Sequence, residues 1–165
     1  MIYDSIETAY TVLLANFATD LAALAAAKGV TIVTTCTFEK RQSVERALEL
    51  RAVKPFCCIN GRRSSTQGRD QGKRDSLSIV AFDYYAEGTD PVKLAKQVEL
   101  AAEAIYLSAD DMPGVDTVFG VGEEPLSWSV EFSDGYIEAA SDSVTPNYFR
   151  RATVTVPVWD RDTGL

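Results

Sequence analysis

The sequence has no histidine. That absence removes Ser-His-Asp and Cys-His catalysis, histidine-ligated metals and the commonest general base. Cysteine is scarce too: there are three, with Cys57 and Cys58 adjacent and Cys36 apart. An odd count without framework spacing argues against a secreted disulfide scaffold. Neighbours on a strand point to opposite faces, so Cys57 and Cys58 are not a natural pair and read as small buried hydrophobes. No apolar run approaches the ~20 residues of a bilayer span; the richest, Leu21 to Ala27, is short and follows Asp20. The start, Met1-Ile2-Tyr3-Asp4, lacks the basic and apolar blocks of a signal peptide. The expected location is a cytoplasm, with no membrane partner.

What is present fits one globular domain over residues 1–165. Apolar residues make up 46% and charged residues 24%, which suits a packed core and not a disordered chain. The net charge of −8 repels a phosphate backbone and argues against a general nucleic-acid binder. The charge is uneven, however. Residues 62–75 carry +3, from Arg62, Arg63, Arg69, Lys73 and Arg74 against Asp70 and Asp75, and the rest of the chain carries −11.

Periodicity sets out the elements. Ile6, Tyr10, Leu13, Phe17, Leu21 and Leu24 draw an apolar stripe down a first helix, which Lys28-Gly29 ends. Val30 to Thr37 reads as a strand and Glu39 to Arg51 as a helix stopped before Lys54-Pro55. Phe56 to Asn60 and Ser76 to Tyr85 read as strands. Between them, Gly61 to Asp75 has glycines, polar residues, the basic cluster and no periodicity, so it reads as a long, mobile hairpin loop. Asp90-Pro91 caps a helix with its apolar face on Ala95, Val98, Ala102 and Ile105, widened by Leu94 and Ala101. Val115 to Val121 is a candidate strand. Leu126 to Phe132 alternates and is followed by Asp134-Gly135, a hairpin-turn signal that pairs it with Tyr136 to Ala140. Arg151 to Trp159 alternates as well, with Pro157 suggesting an edge position near its end. Asp160 to Leu165 reads as a polar tail. The expectation is an α+β domain: a mostly antiparallel sheet with about three helices packed on one face and a long loop inserted in a hairpin.

Few motifs carry chemistry. Gly68-Arg69-Asp70-Gln71-Gly72-Lys73-Arg74 imitates a phosphate loop but has the wrong glycine spacing, an arginine in place of the magnesium-binding Ser or Thr, and a strand after it. Gly120-Val121-Gly122 lacks the third glycine and the helix of a dinucleotide fingerprint. Asp110-Asp111 and Glu123-Glu124 read as solvated turn charges, with a loose divalent-ion site as the competing reading. The basic loop would touch DNA phosphates or an acidic partner surface; the competing reading is a solvated loop kept soluble by charge. It contains no aromatic residue for stacking single strands.

The order of elements carries a resemblance. A helix, a strand and a helix lead to Pro55-Phe-Cys-Cys-Ile-Asn60. The polar loop then enters Leu77-Ser-Ile-Val-Ala-Phe-Asp-Tyr-Tyr85, the helix from Asp90 to Leu107 follows, and Asn147-Tyr-Phe-Arg-Arg-Ala-Thr-Val-Thr-Val-Pro-Val-Trp159 closes the chain. Over most of its length this resembles the tail terminator (tail-completion) proteins of tailed bacteriophages, and neck proteins of related fold. The resemblance implies a virion protein made in the host cytoplasm, a homo-oligomer, typically a hexameric ring, that caps the tail tube. Its partners would be further copies of itself, the tail tube protein and a head-completion or neck protein, with DNA only as the transiting genome. It implies no enzymatic activity and no cofactor, and no residue is assigned as a metal ligand. The basic residues Arg62, Arg63, Arg69, Lys73 and Arg74 would then dock on an acidic rim of the tube. The alternatives are a nucleic-acid-binding accessory protein using that loop, a different head–tail connector, and a small enzyme of unusual chemistry.

Overall fold

The computed structural model describes residues 2–70, 73–112, 129–137 and 147–162. In chain order the elements are α1 (Ile2–Lys28), β1 (Thr37–Lys40), α2 (Val44–Glu49), β2 (Phe56–Asp70), β3 (Lys73–Gly88), α3 (Pro91–Asp110), β4 (Ser129–Ile137) and β5 (Asn147–Asp162). The candidate strand Val115 to Val121, the glycine pair Gly120/Gly122, Glu123-Glu124 and residues 163–165 lie outside the described residues.

The five strands form one sheet in the order β1-β2-β3-β5-β4. β1 runs parallel to β2 and the remaining pairs are antiparallel, so this is an α+β fold with a mostly antiparallel sheet.

α1 forms where the stripe places it. Ile6, Ala9, Leu13, Phe17 and Leu21 are buried along one side. Its end is a Schellman cap: Gly29 N–H donates to Ala26 O at 3.2 Å and Val30 N–H to Ala25 O at 3.0 Å, with Gly29 at φ 64°. Contrary to the sequence reading, the helix from Ser5 to Lys28 is long and apolar enough to cross a membrane by length and composition. The alanines between its large residues raise its hydropathy, and its buried stripe lies against the sheet. α3 begins as the capping signal requires. Asp90 Oδ1 accepts from Val92 N–H at 3.0 Å and Lys93 N–H at 3.2 Å. Its buried face runs through Leu94, Val98, Ala101, Ala102 and Ile105, while Ala95 is half-buried.

The helices divide between the two faces of the sheet, a correction to the one-face expectation. α1 and α3 cover the face that carries Cys57, Ile59, Val80, Phe82, Tyr84, Val154 and Val156. The short α2 covers the opposite face, where Val44 and Ala47 meet Phe56, Cys58 and Tyr85. The cause is in β2 and β3: both strands are apolar on both sides, so both sides need a cover. On the α2 face three rings stack across the strands, Phe56 on Tyr85 at 5.2 Å and Tyr85 on Phe149 at 5.7 Å.

Four further segments depart from the sequence reading. Val30 to Cys36 is not a strand. Val33 N–H donates to Gln97 Oε1 at 2.8 Å and Val33 O accepts from Gln97 Nε2 at 2.6 Å, so one amide side chain satisfies the backbone that a neighbouring strand would otherwise pair. α2 is shorter than Glu39 to Arg51, because Thr37–Lys40 pairs with β2 and Ser43 Oγ caps the helix by accepting from Arg46 N–H at 3.1 Å. Asp134-Gly135 is not a turn. β4 runs straight through it, with Asp134 opposite Arg150 and Gly135 opposite Phe149. Finally, β5 lies between β3 and β4, not at an edge, although Pro157 falls past Thr155, the last residue that β4 pairs.

Candidate functional site

The expected mobile loop is instead the far end of a long hairpin. β2 continues to Asp70 and β3 begins at Lys73, with Arg62 opposite Ile79, Arg63 opposite Ser78, Arg69 opposite Arg74 and Asp70 opposite Lys73. Two register shifts, between Arg63 and Thr66 and between Thr66 and Arg69, explain the missing alternation in the sequence: each bulge breaks the period of two. The supposed polar tail supplies a third strand. Asp160, Arg161 and Asp162 of β5 pair with Ser76, Asp75 and Arg74. Past Ile79 the sheet therefore continues as β2, β3 and β5 among the described residues.

This arrangement gathers Arg69, Lys73 and Arg74 at the closed end of the hairpin, with Arg62 and Arg63 nearer the body. It also places acids directly across from bases. Asp70 faces Lys73, Asp75 faces Arg161 and Arg74 faces Asp162. The backbone register so mixes opposite charges across the strands, with one like-charge position where Arg69 lies opposite Arg74. The extension is thus a mixed-charge strip in place of an isolated basic loop. The acidic contribution of β5 escaped the sequence reading; the alternation of Arg151 to Trp159, carried three residues further, would have found it. The phosphate-loop imitation falls in this hairpin, Gly68 in β2 and Lys73 in β3, with no helix after it.

A second surface lies at the opposite edge of the sheet. α1 and α3 cover β2, β3 and β5 but leave β4 open. Val154 is fully buried, whereas its cross-strand neighbour Val130 is 42% exposed. Phe132 and Tyr136 are also exposed. Arg150 organises this edge. Its guanidinium lies over the Phe132 ring at 5.0 Å and reaches Asp134 at 3.3 Å and Glu99 of α3 at 3.2 Å. Its Nε is buried and unpartnered among the described residues. Tyr136 and Tyr148 meet edge to face at 5.7 Å beside it.

A cleft of about 510 Å³ opens at the end of the sheet where α3 begins, lined by Val33, Lys54, Glu87, Asp90, Lys93 and Gln97 among others. Four of its polar side chains are engaged in holding the fold. Lys54 pairs with Glu87 at 2.5 Å, Asp90 caps α3, and Gln97 bonds Val33 and the Tyr84 hydroxyl, the latter at 2.9 Å. Asp83 is likewise occupied, accepting from Arg151 and from Thr153 Oγ1, and Arg151 also meets Glu45 at 3.2 Å. Asp110 and Asp111 are exposed at the end of α3, and among the described residues no group of three or more Cys, Asp or Glu side chains is placed to hold a metal ion.

The three cysteines are free thiols. Burial pushes Cys58 up to about 12 and raises Cys36 and Cys57 as well. Their neutral form is therefore the native one. The sign follows: stability from these thiols is complete below the unfolded value of about 8.5 and is lost as pH rises from there towards the folded values. Thermal midpoints are expected to hold steady to about pH 8.5 and to fall above it. Alkylation at pH 8 is expected to modify Cys57 and Cys58 only after unfolding, with the partly buried Cys36 the first to react; rapid native-state labelling of Cys57 or Cys58 would show that they are not enclosed.

The sequence matches no known protein family and no curated protein.

Proposed function

We propose that this chain is a ring-forming structural protein of a phage tail or neck, which caps the tail tube and offers a docking surface to the head. The observation that carries the reading is the charge division of the fold: a three-stranded extension holding Arg62, Arg63, Arg69, Lys73 and Arg74 on a body that is otherwise strongly acidic. Such a division suits a subunit whose extension makes the assembly contact while its body lines a passage for DNA, where like charge prevents sticking. In this reading the ring is hexameric, the chain performs no catalysis and needs no cofactor, and it resides in the virion after assembly in the host cytoplasm. The alternative, a DNA-binding accessory protein, draws on the same basic residues, but the interleaved Asp70, Asp75, Asp160 and Asp162 lower the extension's attraction for phosphate.

Charge reversal tests the proposal. With Arg62 and Arg63, which lie opposite Ile79 and Ser78, replaced by Glu, tail joining in a reconstituted assembly is expected to fall by about 100-fold while the thermal midpoint changes little; reversing Lys73 and Arg74 as well puts like charges opposite Asp70 and Asp162 and is expected to lower the midpoint too. Unchanged joining would remove the extension from the assembly contact. A protein that ignores tail tubes yet binds DNA with a steep loss of affinity at rising salt would overturn the reading in favour of the alternative.

A further inference from the structure

Among the described residues the sheet has two edges without a strand partner, of opposite charge and on opposite sides. At one side, β1 pairs only with Phe56–Ile59, and the backbone follows β2 as far as Arg41 N–H to Ile59 O at 2.8 Å and Asn60 Nδ2 to Gln42 O. From Gly61 to Asp70 the outer edge of β2 has no strand partner among the described residues. That segment carries Arg62, Arg63, Arg69 and Asp70, a net +2. At the other side, β4 has its outer edge unpaired among the described residues. It carries Glu131 and Asp134 with no basic residue, a net −2.

Exposed edges are commonly protected by lysine, proline or a bulge, because their free N–H and C=O groups template the addition of another strand. β4 has none of these within Ser129–Ile137, and its pairing with β5 runs without a register shift. It also presents Val130, Phe132 and Tyr136, exposed by 42%, 44% and 57%, on the same face as α1 and α3 but beyond the strands those helices cover. Aromatic residues beside an arginine, here Phe132 and Tyr136 with Arg150, are the side chains that most often anchor protein interfaces.

We infer that the occupant of the β4 edge is the β2 edge of a second copy of this chain. The inference rests on the ring reading above and names the partner of the basic extension within it. The two edges are complementary in charge and lie on opposite sides of one sheet, so their union is head-to-tail. Each subunit offers one edge of each kind, and repetition continues the sheet from subunit to subunit. Head-to-tail contacts of this sort close into a ring when the rotation per subunit permits and extend into a filament when it does not. Main-chain hydrogen bonds would supply the contact along Gly61–Arg63, the part of the β2 edge that precedes its two register shifts, and the charges would fix which edge meets which.

Two variants separate this arrangement from the others. In the first, Val130→Lys with Glu131→Arg turns β4 from acidic to basic. In the second, Arg62→Glu with Arg63→Glu reverses the β2 edge. Particle mass is measured for each alone and for an equal mixture, with tail tubes added if the unaltered protein needs them to assemble, and thermal midpoints confirm folding. Each variant alone is expected to need about 100-fold higher concentration to assemble than the unaltered protein. The mixture is expected to assemble again near the unaltered protein's concentration, into particles of an even number of 18.0 kDa subunits in which the two variants alternate. There the intact β2 edge of the first variant meets the intact β4 edge of the second, and the reversed edges, one now basic and the other acidic, meet each other. Rings from either variant at the unaltered protein's concentration would overturn edge pairing and leave the ring reading standing. So would a mixture that remains monomeric while the unaltered protein assembles. An unaltered protein that stays monomeric both alone and with tail tubes would overturn the ring reading, and edge pairing with it.

Discussion

Replacing Phe17 by alanine is expected to lower the free energy of unfolding by about 3–5 kcal/mol. The side chain is 1% exposed on the buried stripe of α1. Its ring meets Phe38 of β1 edge-on at 5.5 Å and lies 6.1 Å from Tyr84 of β3. It therefore ties one helix to two strands, and both aromatic neighbours are held by strand pairing. The space left by truncation cannot be closed by moving them without breaking those ladders. Leu14 provides the comparison. It is one helical turn away on the same helix but 57% exposed, and its replacement by alanine is expected to change stability by only about 0.5 kcal/mol. Urea denaturation would show a large shift of midpoint for Phe17→Ala with little change of slope. Equal effects from the two substitutions would mean that α1 does not pack on the sheet through this stripe.

The substitution Gly135→Ala is expected to cost about 1–3 kcal/mol, through crowding and not through backbone conformation. A Cβ at this position would lie 2.5 Å from Cε1 and 2.8 Å from Cζ of Phe149. Phe149 cannot swing freely, because its ring stacks on Tyr85 and Tyr85 stacks on Phe56. Gly135 thus leaves room on β4 for the last ring of a ladder that crosses the sheet. Adding Phe149→Leu to Gly135→Ala is expected to recover part of the loss, with chemical denaturation of the single and double variants as the readout. A turn glycine would behave differently: its loss would come from backbone strain, and shortening Phe149 would not relieve it.

That pair of residues also explains what the sequence could and could not reveal. Asp-Gly between alternating apolar residues is a sound turn signal, yet here Asp134 pairs with Arg150 and Gly135 accommodates Phe149, both on β5, the next described strand in the chain. Tertiary contacts override the local preference. Val30 to Cys36 fails for a related reason: its Thr and Val content favours a strand, but the Gln97 side chain on α3 takes the hydrogen bonds of Val33. Where the signal is local the reading survives. The stripe of α1, the cap at Gly29, the Asp90 N-cap and the burial of Ala152, Val154, Val156 and Val158 all depend on residues close in the chain. The five basic residues were legible as a cluster, because clustering needs only composition. Their setting was not, because two register shifts hid the strands and the acidic partners arrive from β5, some 90 residues away in sequence.

The placement of α2 follows the same logic. Nothing local tells which side of a sheet a short helix will take, and the deciding feature is that Phe56, Cys58 and Tyr85 form an apolar patch opposite the main core. A helix of this length, Val44–Glu49, is stable only where such a patch receives it.

The most direct test of the central claim is the particle mass of the unaltered protein across concentration, alone and with tail tubes, with negative-stain images of the same samples. The account predicts closed rings, formed freely or on the tube ends, whose mass is a whole multiple of 18.0 kDa. A strict monomer that leaves tail tubes uncapped would contradict it.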